Sequence, residues 1–321
     1  IRRPPRSTQS RSSAASDVYK RQIIYGATGF TGSLGAKYMD KYSGELNWAI
    51  AGRDPVKLKK IQESIPSKPE IIIADANDEN ALLELTKSTQ VVASYAGPFN
   101  KYSNMLVKAC VETGTHYVDI TGEAIWVRDL IDNYHQECVS KKIKIIPACG
   151  YDSIPSDLGT YFTAKQINEP LKSIYAYHNM SGGVSGGTIE SAFTMRDFKS
   201  KHKMGHPFLL NPEGSYSKNQ KLLSKDYFSI TKNKKLNKWV IPFVMAITNT
   251  RPVRRSAALM EAKQQSYGPD FVYNEFQMVK RLPTAIITTV SLAILGMIIV
   301  SPFRNFLRKF FPKPWFREKL S

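Results

Sequence analysis

This 321-residue chain predicts an α/β fold, a doubly wound parallel sheet followed by a second α+β domain and one long apolar segment. Three observations carry that prediction. Short β-branched runs alternate with helix-period stretches through the first half of the chain. A glycine-rich turn joins the first such run to the first helix, and Thr284 to Phe303 holds no charged residue. Alternating strands and helices build a parallel sheet covered on both faces, with its ligand at the carboxyl ends of the strands.

Ile23-Ile24-Tyr25 reads as a buried strand. It runs into Gly26-Ala27-Thr28-Gly29-Phe30-Thr31-Gly32, after which Ser33 to Met39 carries apolar residues at helical spacing. Such a turn brings bare backbone N–H groups up to a pyrophosphate, and the helix N-terminus adds partial positive charge. The spacing is G-x-x-G-x-x-G, not the G-x-G-x-x-G of the dinucleotide fingerprint, and glycines also mark ordinary tight turns. Its weight comes from the strand before it and the helix after it.

Trp48 to Gly52 is the second strand and ends at Arg53, with Lys57, Lys59 and Lys60 beyond. An acid at this position holds the ribose 2′-hydroxyl of NAD, whereas an arginine accommodates the 2′-phosphate of NADP. Arg53 therefore points to NADP, while Asp54 leaves NAD open. Ile71-Ile72-Ile73-Ala74 is the third strand, and Asp75 at its end either lies near the adenine or caps the helix at Asn77-Asp78-Glu79. Val91 to Ala96 is the fourth, stopping at Gly97-Pro98, where the nicotinamide side of the cleft opens. The candidate cofactor-binding residues are Gly26, Ala27, Thr28, Gly29, Phe30, Thr31, Gly32, Arg53, Asp75, Gly97 and Pro98.

Together these blocks resemble the saccharopine dehydrogenase-like oxidoreductases, a family that includes the bacterial trans-acting enoyl reductases. The likeness rests on Gly26 to Gly32, Ala51-Gly52-Arg53, Tyr95 to Phe99, Cys110, Gly114 to Glu123, Gly150 to Gly159 and Ser185-Gly186-Gly187-Thr188, and spans roughly residues 23–300. Ser103 departs from it, since the family tends to have glycine after this tyrosine. The resemblance implies a Rossmann-type NAD(P) domain and an oxidoreductase acting on a lipid-like enoyl or carbonyl substrate. It does not imply saccharopine itself, because likeness to true saccharopine dehydrogenases lies mainly in the cofactor half. Family members of this type occur on lipid droplets and other membranes. The family also continues into a further strand-rich segment, so the chain reads as a fragment with its second domain incomplete.

The expected organisation is a non-native or disordered leader over 1–22, a cofactor domain over 23–160, a substrate or dimerisation domain over 161–283, an apolar segment over 284–303 and a basic tail over 304–321. The Arg-, Ser- and Pro-rich leader resembles a translated library scar; it has no apolar core for a secretory signal, and a transit peptide is the alternative. Net charge is +18, but the cofactor domain carries −3 while 196–255 carries +11 and each end of the chain +5. Basic stretches meet nucleic acid or anionic lipid. Lys199 to Lys238 shows no nucleic-acid module, so no nucleic-acid partner is expected.

The apolar segment is long enough to span a bilayer once. Cations flank it on both sides, at Lys280, Arg281, Arg304, Arg308 and Lys309. A single span, a hairpin turned at Pro302 and a buried core helix all fit it. Expected partners are a dinucleotide, an apolar small molecule, a membrane or lipid-droplet surface and a second copy of the chain. The expected location is intracellular and membrane-associated, at a lipid droplet or the endoplasmic reticulum, with the mitochondrion as a further option. Three cysteines are too few for a disulfide framework and read as core thiols, and five scattered histidines predict no metal site.

Catalytic residues stay unassigned. Tyr161 and Lys165 match the Y-x-x-x-K of short-chain dehydrogenases, a pattern that a chain this rich in tyrosine and lysine produces by chance. Tyr151-Asp152-Ser153 follows a strand and suits either ligand contact or a turn into the helix opened by Pro155. Asp119 and Glu123 serve either as acid and base or as loop closures. The alternative to an enzyme is a non-catalytic NADP-binding protein acting as sensor or scaffold.

Overall fold

The computed structural model describes residues 20–167, 169–180, 186–303 and 306. The chain begins with β1 (Lys20–Tyr25), α1 (Phe30–Tyr42), β2 (Trp48–Gly52), α2 (Pro55–Glu63), β3 (Glu70–Ile73), α3 (Glu79–Lys87) and β4 (Thr89–Ser94). One turn of helix, α4 (Phe99–Tyr102), leads to α5 (Asn104–Thr113), β5 (His116–Asp119), α6 (Ala124–Lys141), β6 (Ile145–Ile146) and α7 (Ile154–Ile167). All six strands run parallel in the order β3-β2-β1-β4-β5-β6. This is the Rossmann order, and the chain reverses direction across the sheet between β1 and β4.

Burial explains why these segments are strands. All five residues of β2 are buried, as a strand covered on both faces requires. Ile24, Ile50, Leu58 and Ile65 fill one side of the sheet, and Ile23, Val92, Leu106, Tyr117 and Trp126 fill the other. β1 starts three residues before the apolar run that predicted it. Lys20 pairs with Thr89, and Gln22 pairs with both Trp48 and Val91. Lys20 to Gln22, placed in the leader by their polarity, therefore belong to the sheet; residues 1–19 lie outside the described residues, as does all of the basic tail except Phe306.

The second domain contains β7 (Ser173–His178), α8 (Gly186–Asp197), α9 (Lys218–Leu223), β8 (Thr231–Asn233), β9 (Lys238–Ile241), α10 (Ala246–Ala262) and β10 (Val272–Val279). Its sheet has the order β7-β10-β9-β8, parallel between β7 and β10 and antiparallel elsewhere. Part of the basic load of 196–255 is internal. Arg251 is buried in a two-pronged pairing with Asp226 (2.6 and 2.7 Å), and buried Arg254 donates to the carbonyls of Pro207 and Tyr273.

The apolar segment forms α11 (Leu282–Val300), a helix of 19 residues with mean hydropathy 2.2. Ala285 is its one buried residue, while Ile287 and Met297 are 67% and 62% exposed. Among the described residues the helix is therefore not enclosed as a core helix would be. By length and composition, α11 is able to cross a membrane.

Candidate dinucleotide site

Three glycines build the turn after β1, each for its own reason. Gly26 sits at φ +79°, and a Cβ there would stand 2.8 Å from the Ala96 nitrogen. Only glycine lets the end of β1 lie against the chain leaving β4. A Cβ on Gly32 would fall 2.2 Å from the Gly26 carbonyl oxygen, so α1 settles directly onto the turn. Gly29, the N-cap of α1, has an ordinary extended conformation, and its missing side chain leaves the helix end uncapped. The first-turn N–H groups of Phe30, Thr31 and Gly32 have no intrahelical acceptor, and the turn holds no acid. By contrast α2 and α3 are capped by Asp54 and Asp78, which accept from the Lys57 and Ala81 N–H groups at 3.0 Å each. Free N–H groups, a positive helix end and no competing carboxylate fit a pyrophosphate.

The turn is tied to the sheet by the N–H groups of Gly26 and Ala27, both donating to the Ala51 carbonyl. Thr28 stands near the end of β2, about where a Cβ on Gly52 would meet its hydroxyl. Arg53 follows directly and is exposed. Asp54, the residue that left NAD open, is engaged as the α2 cap. Asp75 accepts from both the backbone and side-chain N–H groups of Asn77 (2.9 Å each), so it shapes the turn while Asp78 does the capping. Gly52 pairs with Ile73, which sets Arg53 and Asp75 at neighbouring strand ends.

Gly97 and Pro98 follow β4 and are joined by a cis peptide. The loop is held from below by Glu123, whose two carboxylate oxygens accept the N–H groups of Phe99 (3.0 Å) and Asn100 (2.7 Å). Glu123 is 1% exposed; burial pushes its carboxyl up, and those two N–H donors pull it back. Asp119 accepts from the Tyr117 hydroxyl (2.8 Å) and from the Thr121 and Ala148 N–H groups (2.9 and 3.0 Å). Burial still pushes it up to about 7. Every oxygen of the two acids accepts from a donor of the protein itself, as a loop closure would.

Cys149, expected in the core, instead lies half-buried in the loop after β6, donating to the Ile146 carbonyl. Burial pushes its thiol up to about 11. Cys110 and Cys138 are buried as expected. Lys165 stands 5.7 Å over the Tyr161 ring, a cation–π contact on α7. Two features escaped the sequence reading. The Tyr95 ring lies where a Cβ on Gly35 would be, 2.7 Å away, so a mid-helix glycine of α1 makes room for it. The buried Ser153 hydroxyl reaches Asn249, ninety-six residues away.

Strand order, glycine turn and open helix end define a Rossmann-type dinucleotide-binding domain. Residues 23–146 match the family described as the saccharopine dehydrogenase NADP binding domain. This part of the chain is a saccharopine dehydrogenase-type NADP-binding domain, and the cofactor is NADP. The chain is 31% identical to a trans-acting enoyl reductase of Mycobacterium ulcerans over 278 residues, covering 81% of this chain and 65% of that protein. It is also 31% identical over 237 residues to a lipid droplet localized protein of Caenorhabditis elegans, covering 69% and 55% respectively. The chain thus spans less than two thirds of the length of these relatives. Among solved structures, apo saccharopine dehydrogenase (L-Glu forming) of Saccharomyces cerevisiae is similar with a TM-score of 0.49 at 16% identity, covering 86% of this chain and 59% of that one.

Proposed function

We propose that this chain is part of an NADP-dependent oxidoreductase that reduces a lipid-like enoyl or carbonyl substrate at a membrane or lipid-droplet surface. The observation that carries the reading is the uncapped, glycine-lined N-terminus of α1 in a domain of the NADP-binding family. The names of the two relatives support the substrate class and the location, and the exposed apolar surface of α11 is consistent with both. In this reading the backbone of Gly26 to Gly32 holds the pyrophosphate. Arg53 meets the 2′-phosphate, Asp75 borders the adenine side, and Gly97-Pro98 shapes the nicotinamide end. When bound, NADPH supplies a hydride. The sensor or scaffold alternative draws on Asp119 and Glu123, whose carboxylate oxygens are all engaged by the protein's own donors.

Arg53→Ala is expected to weaken NADPH binding about 10- to 100-fold, the value of one charge-assisted contact, and to leave NADH binding within about two-fold. Titration of both cofactors by calorimetry checks this; equal NADPH affinity in the two proteins removes Arg53 from the site. NADPH oxidation is then followed with long-chain enals, aldehydes and enoyl thioesters. Turnover of any one supports the enzyme, whereas tight NADPH binding without oxidation of any supports the sensor. Deleting 284–303 is expected to move the protein from the membrane pellet to the soluble fraction of expressing cells. A deletion variant that stays in the pellet removes α11 as the anchor.

A further inference from the structure

Between α7, α10 and the second sheet, an apolar cluster around Val253, Tyr273, Ala164 and Ala176 is interrupted by a row of buried polar groups. α7 turns Ser156 and Thr160 inward, just after the buried Ser153, while Leu158 and Phe162 face solvent. On β10, the alternate residues Tyr273, Glu275 and Gln277 are all buried. They pair across the parallel ladder with Ile174, Ala176 and His178 of β7, so His178 shares their face of the sheet. Buried polar groups in such a row are informative, since apolar residues would stabilise the same space at less cost.

Hydrogen bonds join this row to the dinucleotide cleft. The Ser153 hydroxyl, on the loop leaving β6, donates to Asn249 Oδ1 at 3.4 Å. Asn249 Nδ2 donates to Glu275 Oε2 at 3.0 Å, and the Tyr273 hydroxyl donates to Glu275 Oε1 at 2.7 Å. The neighbouring Thr248 hydroxyl donates to the Gly122 carbonyl, beyond the end of β5. The first turn of α10 therefore rests on the loops at the carboxyl ends of β5 and β6, where a Rossmann domain presents its ligand.

His178 ends the chain of contacts. Its ring stacks on Phe243, with centroids 4.2 Å apart and planes 13° apart. Its Nε2 lies 3.7 Å from Glu275 Oε2, fully buried and without a hydrogen-bond partner, although the side chain as a whole is 32% exposed. Gln277 Oε1, on the paired residue of β10, is likewise buried and unpartnered. Glu275, with two neutral donors already on its oxygens, has His178 as its nearest cation-forming neighbour; Arg254 of α10 acts on it from further off. A carboxylate beside the buried edge of a partly exposed imidazole can orient a general acid, and such contacts are often long before substrate binds.

We propose that His178 is the catalytic acid of this cleft and that Glu275 is its positioning residue, an assignment that rests on the reductase reading above. A hydride from NADPH forms a C–H bond at the carbonyl carbon, or at the far end of the conjugated C=C–C=O system, and the π electrons move onto oxygen. The imidazolium of His178 gives its Nδ1 proton to that oxygen, forming the O–H bond, and the neutral ring recovers a proton from water.

The test uses the full chain with NADPH, with dodecanal and trans-2-dodecenal as reactive probes and dodecanamide with NADP+ as an unreactive one. His178→Ala is expected to slow single-turnover NADPH oxidation about 100- to 1,000-fold, within the range of general acid catalysis. Glu275→Gln is expected to lower kcat about tenfold with KM unchanged. NADPH affinity stays the same in both variants. Independently of turnover, dodecanamide is expected to slow carbethoxylation of His178 by diethyl pyrocarbonate, read by mass spectrometry. The assignment is overturned if His178→Ala reduces either probe at the wild-type rate, or if dodecanamide leaves the labelling of His178 unchanged. Failure of the wild-type chain to bind NADPH would instead strike the reductase reading itself.

Discussion

An aspartate at position 29 is expected to make the protein more heat-stable and, at the same time, unable to bind NADPH. Gly29 has φ −77° and ψ 163°, the extended geometry of a side-chain N-cap, but no side chain to cap with. Space is available there: a Cβ would have its nearest neighbour, the Gly26 carbonyl oxygen, at an ordinary 3.5 Å. Asp54 and Asp78 already do for α2 and α3 what an aspartate would do here. Capping contributes about 0.5–2 kcal/mol, and a negative charge at the positive helix end adds to it. In a protein of this size that raises the melting temperature by about 1–4 °C. The same carboxylate then occupies the N–H groups assigned to the pyrophosphate and repels it, so NADPH affinity is expected to fall at least about 100-fold, or roughly 3 kcal/mol. Calorimetric melting and NADPH titration of Gly29→Asp check both halves. Wild-type NADPH affinity in this variant would move the pyrophosphate away from α1. Gly32→Ala is a poorer probe, because its Cβ would collide with the Gly26 carbonyl and unfold the turn whether or not a cofactor binds there.

Opposite signs in one variant expose what the sequence made legible. Local chemistry was readable: a β-branched run, a glycine turn and a helical period lie within twenty residues of each other, and each needs only its neighbours to be interpreted. Arg53 at the end of β2 belongs to the same category. What was hidden depends on residues distant in the chain. Lys20 to Gln22 look like leader because they are polar, and only pairing with Thr89, Trp48 and Val91 makes them a strand. Nothing beside Glu123 in the sequence shows that its carboxylate accepts from the N–H groups of Phe99 and Asn100, more than twenty residues away. Tyr273, Glu275 and Gln277 follow strand alternation, yet with the polar residues on the buried side, against the rule that apolar residues mark the core. That reversal becomes intelligible only when Asn249 and His178 are seen beside them.

Asp119 yields the second large effect, and its sign follows from proton binding. Burial holds its carboxyl in the folded chain at about 7, against 3.8 for the free side chain, even though the N–H groups of Thr121 and Ala148 and the Tyr117 hydroxyl favour the ionised form. Between those two values the folded state keeps a proton that the unfolded state releases. Stability contributed by this group is therefore fully present below about pH 4 and is lost as pH rises through 7. The interval corresponds to about 4 kcal/mol, an upper figure for one buried carboxyl. Asparagine reproduces the protonated form: its Oδ1 accepts the two N–H groups now on Asp119 Oδ1, and its Nδ2 donates to the Tyr117 hydroxyl oxygen. Asp119→Asn is expected to match the wild type near pH 4 and to exceed it increasingly toward pH 8 in urea unfolding. Asp119→Ala, which leaves two buried N–H groups without an acceptor, is expected to be less stable near pH 4 by about 2 kcal/mol or more. Parallel pH profiles for wild type and Asp119→Asn would show that the carboxylate is ionised in the fold throughout. Loop closure at the ends of β5 and β6 would then rest on a buried charge, and a cationic partner close to Asp119 would be needed to hold it there.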